Sequence, residues 1–89
     1  MRAARLSPVP PSRAAEAESS YREALKLAES LEMRPLQAHC YLGLGKLYHR
    51  IGRLEEARAE LATAVAMLRE MGIAYWLPEA ERELAEASR

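Results

Sequence analysis

The sequence has no phenylalanine, one tryptophan and one cysteine among its 89 residues. So few large aromatics argue against a thick, mixed core. Much of the 49% hydrophobic share is alanine, which suits helices packed close together. The lone Cys40 excludes an intramolecular disulfide and fits a reducing, cytoplasmic setting. Neither sign of charge is in excess, with 13 basic and 13 acidic residues. A phosphate-backbone binder carries a basic surplus, so nucleic acid is not an expected partner. No apolar run approaches the roughly 18 residues of a membrane span, and no alternating β-branched run marks a strand. Arg2, Arg5 and Arg13 are not joined by an apolar stretch, so no secretory signal is read at the front.

A chain of this length makes one small domain or a piece of a larger protein. On its own it buries little more than half of its unfolded surface, which leaves a marginal core. Residues 1–12 hold Pro8, Pro10 and Pro11 and read as a disordered, proline-rich lead. From Arg13 the pattern changes. Ala17, Tyr21, Ala24, Leu25, Ala28 and Leu31 recur at three- and four-residue spacing, which predicts a helix over about 13–32. Pro35 suits the first turn of a second helix, over about 35–51. Gly52 stops it, with Lys46, His49 and Arg50 placed to complement its dipole. A third helix is expected over about 54–71, with Glu55 and Glu56 in its first turn and Gly72 at its end. A fourth opens at Pro78 and runs over about 78–88.

An internal echo of constant spacing joins these helices. Ala17 maps to Ala57, Tyr21 to Leu61, Ala24 to Ala64, Leu25 to Val65 and Leu31 to Met71, and Leu44 and Gly45 map to Leu84 and Ala85. The central stretch, Ala38 to Met71, carries its own pattern. Tyr41-Leu42-Gly43-Leu44-Gly45-Lys46-Leu47-Tyr48 is followed by Gly52, Ala57, Leu61 and Ala64. Large, small and aromatic positions at these intervals describe two antiparallel helices with fixed contact points. The stretch resembles a tetratricopeptide repeat, the helix–turn–helix unit of an α-solenoid. By that resemblance the fold is all-α, about four helices stacked as antiparallel hairpins: a B helix, a complete A–B pair and a closing A helix.

The sizes of the residues fit independently. Gly45 and Ala57 are small where paired helices cross, and Ala64 is small where the next A helix lies. Tyr41, Leu44 and Tyr48 form a stripe that fills the space between helices, with Leu54 and Leu61 as the answering surface. The chain departs from the common 34-residue form: its B helix runs on through Met71, and Arg69 stands where a closing proline is expected. The longer period resembles repeats in C-terminal regions of bacterial signalling proteins.

The resemblance implies a protein–protein interaction module without catalysis or cofactor, and a piece of a larger protein. The alternative is a regulatory or sensor segment of a bacterial signalling ATPase, nucleotide cyclase or transcriptional regulator. The inner surface of such arrays is lined by A helices. Here it exposes His39, Leu42, Lys46, His49 and Arg50, then Arg82 and Glu86, as a groove for a protein or peptide. Lys46 and His49 favour an acidic ligand. Leu42 and Gly43 occupy places where family members that clamp a terminal carboxylate need polar side chains. Tyr75 and Trp76 are either an apolar anchor for a partner or packing beneath the last helix.

No metal site is expected. His39 and His49 are ten residues apart on one helix, about 15 Å along its axis, and Cys40 points elsewhere. Gly43-Leu44-Gly45-Lys46 lacks the spacing and the following Ser/Thr of a phosphate loop. Glu55, Glu56 and Glu60 read as a solvated face with Arg58. Stacked repeats need about three copies to be stable. The first A helix is absent, so the helix over 14–32 is expected to show an apolar stripe to solvent. That stripe invites a longer parent protein or a homodimer.

Overall fold

The structure, a computed structural model, describes residues 11–89. Four helices follow one another: α1 (Pro11–Ser30), α2 (Arg34–Arg50), α3 (Leu54–Met71) and α4 (Leu77–Ala87). No strand occurs among the described residues. α2 packs against α1, α3 and α4, and α3 packs against α4. The centre of the molecule is therefore the α2–α3 hairpin, with one helix on either side of it.

Pro11 opens α1. The sequence places it in the lead over 1–12, but a proline fits the first helical position because its missing N–H would be unpaired there anyway. Ser12 follows it in the helix, and the remainder of that lead, residues 1–10, lies outside the described residues. Pro35 and Pro78 sit in the first turns of α2 and α4 on the same principle.

The three turns use one device. Gly52 and Gly72 adopt left-handed φ values of 86° and 69°. Around each, two backbone N–H groups return to the helix just ended: Arg53 to Tyr48 and Gly52 to His49, then Ile73 to Leu68 and Gly72 to Arg69. This paired return satisfies carbonyls that would otherwise be left over. α1 ends in the same way, with Met33 bonding Ala28 and Glu32 bonding Glu29. Here the left-handed position is held by Glu32, at φ 55°. Glu32 maps to Gly72 in the same register as Leu31 to Met71, so the echo includes the stop signal.

Leu44, Tyr48, Ala57, Leu61, Ala64 and Leu68 are wholly enclosed and form the core with Ala38, Leu42 and Val65. Tyr41 is only partly buried. Leu54, expected beside Leu61, is 39% exposed; it is the first residue of α3, at the tip of the hairpin, where little lies opposite. Arg58 does not join the glutamates of its own helix. It donates to the carbonyl of Ala87 at 3.0 Å, holding the end of α4.

Tyr48 ties three helices together. Its hydroxyl donates to Glu18 and accepts from Arg22 at 2.8 Å, while Arg22 also reaches Glu60 on α3 at 3.5 Å. The Arg53 guanidinium lies 4.6 Å from the centre of the Tyr48 ring. Burial, and then the bond to Glu18, push the Tyr48 phenol above its ordinary range. This polar cluster closes one side of α2. The opposite side is open among the described residues.

Candidate functional site

On that open side the N-terminal half of α1, the length of α2 and the start of α4 surround a cavity of about 460 Å³. Leu42, Gly43 and Leu47 form its floor, and Ala17 and Tyr21 its α1 wall. Gly43 makes this wall feasible: a Cβ there would stand 2.3 Å from Cε1 of Tyr21, so the ring lies where any side chain would be. His39 and Trp76 close one end, with ring centroids 4.8 Å apart and planes tilted by 46°. Arg13, Lys46 and Arg50 stand around the rim with Glu79.

Lys46 Nζ donates to Glu79 Oε2 at 2.6 Å, linking α2 to α4. The bond raises the Lys46 pKa and lowers that of Glu79, each favouring its charged form. Arg13 and Arg50 have no ion-pair partner among the described residues. The cavity is therefore apolar at its base and cationic at its edge.

A family model described as tetratricopeptide repeat matches residues 12–70, about two thirds of the chain. The chain belongs to the tetratricopeptide repeat family. No curated protein and no solved structure matches it. The unit that this family repeats is an interaction scaffold, and the helical hairpin of α2 and α3 is one such unit.

The tetratricopeptide surface expected from sequence divides in two. His39, Leu42, Lys46 and Arg50 come together at the cavity. Leu42, expected to be exposed, is only 4% exposed: it belongs to the core cluster that also holds Ala80 of α4 and against which Trp76 packs, and this makes it floor. His49 and Arg82 are not among the cavity's lining. His49 turns to α4, where its Nδ1 stands 3.9 Å from Glu83 Oε1. With Glu86 this makes a group of three donor-bearing side chains whose atoms lie within 4.8 Å of one another. Sequence reasoning missed that grouping by looking for partners of His49 on its own helix.

Tyr75 and Trp76 also part company. Trp76 is half-buried against the core and the cavity, while Tyr75 is 84% exposed. Arg13, Tyr21 and Glu79 were not expected at the site. The echo was the signal for Tyr21, since it aligns that residue with Leu61, which α2 covers.

Nothing at the cavity has the arrangement of a nucleophile and its base. Cys40 is buried at 2%, and burial raises its thiol pKa, which disfavours the reactive thiolate. No helix among the described residues is long and apolar enough to cross a membrane.

Proposed function

We propose that this tetratricopeptide chain is a protein–protein interaction module whose partner surface is the cavity face of α1, α2 and α4. One observation carries the reading: three helices converge on a concave, apolar floor with a cationic rim. Concave apolar surface with a few polar groups at its margin is the general form of a binding site. His39, Leu42, Gly43, Lys46, Leu47 and Arg50 are its α2 contribution, and Trp76 is its aromatic end. His49 and Arg82 form an outer polar margin. Leu27 on α1 and Leu31 just after it, each 58% exposed, support a place within a larger protein or assembly.

The test is site-specific photo-crosslinking in the native host. A photoreactive residue at His39 or Arg50 is expected to trap a discrete protein. The same residue at Ala66, exposed on α3, is expected to trap none. Equal labelling from all three positions would show that the cavity face has no privileged role.

A further inference from the structure

The internal echo allows the cavity to be compared with an occupied site in the same molecule. α3 is the counterpart of α1, and α4 that of α2. α2 lies against α3 and α4. A helix in the equivalent relation to α1 and α2 would lie across the cavity.

The residues agree with that geometry. On α3, Ala57, Leu61 and Ala64 are fully buried and Met67 and Met71 are partly buried. Their counterparts are Ala17, Tyr21, Ala24 and Leu27 on α1 and, just after it, Leu31, whose N–H still bonds to the carbonyl of Leu27. All five lie within one arc of the helix, about 120° wide at 100° per residue. Ala17, Tyr21 and Ala24 are half-buried, and Leu27 and Leu31 are exposed. The residues that receive α2 are Trp76, at the N-cap of α4, and Glu79 and Glu83 on α4, against His39, Lys46 and His49. The counterparts of Glu79 and Glu83 are His39 and Gly43, and both line the cavity.

The charge, however, is reversed. α4 presents Glu79 and Glu83 to the basic residues of α2. The seat, open among the described residues, presents Arg13 and Arg50 beside the Lys46–Glu79 pair, and the two arginines have no ionic partner among the described residues. α2 is a basic helix in an acidic seat, so the seat left open by the described residues calls for an acidic helix.

We infer that the groove between α1 and α2 binds an amphipathic helix of a partner protein, with its apolar face on Ala17–Leu31 and its acidic flank toward Arg13 and Arg50. This rests on the interaction reading above and names the partner's chemistry. The stripe from Ala17 to Leu31 is about 21 Å long at 1.5 Å per residue, which sets the docked helix at about four turns.

The test uses the whole chain and two stapled synthetic helices of about 16 residues. Both carry Leu and Ala on one face. One has glutamates along the flank, and its twin has lysines instead. Trp76 is the only tryptophan and lines the cavity, so its emission reads occupancy. The acidic helix is expected to bind and shift that emission. Affinity is expected to fall at least about tenfold with the lysine twin, with the Arg13→Glu/Arg50→Glu variant, or with Leu27→Glu/Leu31→Glu. The four substituted positions are exposed, so the fold is not at risk. Failure to bind the acidic helix, or equal binding of the twins, overturns the inference. It is also overturned if light scattering shows a dimer that Leu27→Glu/Leu31→Glu dissociates and the peptide does not displace, because a second copy then fills the seat. Greater quencher access to Trp76 after removal of residues 1–10 overturns it in favour of the chain's own lead. Should the crosslinks from His39 and Arg50 persist while the acidic helix fails, the interaction reading stands and only the acidic helix falls. Loss of both removes both.

Discussion

Gly45 on α2 faces Leu61 on α3 so closely that a Cβ on the glycine would stand 2.4 Å from Leu61 Cγ and 3.2 Å from its backbone nitrogen. Leu61 is fully buried, so it cannot swing away without disturbing the core. Two residues earlier, Gly43 faces α1, and its nearest neighbours are the outer atoms of the half-buried Tyr21 ring. Two glycines on opposite sides of one helix thus set two helix spacings, one rigid and one yielding.

Alanine substitution should separate them. At either site alanine gains about 1 kcal/mol of helix propensity. Overpacking at Gly45 is expected to outweigh this, leaving Gly45→Ala less stable by roughly 1–2 kcal/mol and Gly45→Leu by more. Gly43→Ala is expected to lie within about 0.5 kcal/mol of the parent, because Tyr21 can turn into the cavity. Urea denaturation measures both. A Gly43→Ala loss equal to that of Gly45→Ala would contradict the yielding ring.

Glu32 holds a left-handed backbone position that costs an L-residue about 1–2 kcal/mol. Glycine removes that cost and gives back about 0.5–1 kcal/mol of chain entropy. Glu32→Gly is therefore expected to stabilise the chain by roughly 0.5–1 kcal/mol. For a domain of this size that corresponds to a melting temperature higher by about 2–8 °C. A lower melting temperature would show that Glu32 contributes something its backbone conformation conceals.

Tyr48 is fully buried, and its hydroxyl is bonded to both Glu18 and Arg22. Tyr48→Phe keeps the ring, and with it the contact of Arg53, and removes both hydrogen bonds. The expected loss is about 1–2 kcal/mol. Combining it with Glu18→Ala should cost less than the sum of the two, since both delete the same bond. Strict additivity in that cycle would mean that the hydroxyl and the carboxylate act independently.

The fold was legible because its determinants are local. Proline in first turns, glycine after last turns and three- to four-residue spacing of apolar side chains each mark a helix without reference to the rest. Ala57, Ala64 and Gly45 were readable as contact points because only small residues allow backbones to approach. The cavity was less legible. His39, Lys46 and Arg50 followed from the face of one helix, but Arg13, Tyr21 and Glu79 join them only through the packing of α1 and α4. His49 shows the same limit: its neighbours Glu83 and Glu86 stand on α4, with the whole of α3 between them in sequence. The helix expected over 13–32 ends at Ser30, because Glu32 takes the left-handed turn position, for which glutamate carries no preference; its register with Gly72 was the one signal, and it went unread.

The acid response of the chain should be the difference of two opposed carboxylates. Glu79 is held below its usual value of 4.5 by the bond from Lys46. The unfolded chain then binds that proton more tightly, so the stabilisation is present above 4.5 and is lost as pH falls through the folded value. Glu60 is raised above 4.5, because burial outweighs the attraction of Arg22. For this group the folded chain holds the proton, so a penalty develops as pH rises from 4.5 through the folded value. Melting curves between pH 3 and 7 for the parent, Glu79→Gln and Glu60→Gln separate the two. The deficit of Glu79→Gln is expected to shrink toward zero as the solution is acidified. Relative to the parent, Glu60→Gln is expected to gain as the solution is made neutral. The Lys46–Glu79 pair is more than a third exposed on its lysine side, so its deficit should amount to only tenths of a kcal/mol. If both variants track the parent at a constant offset across this range, neither carboxylate has the surroundings described for it.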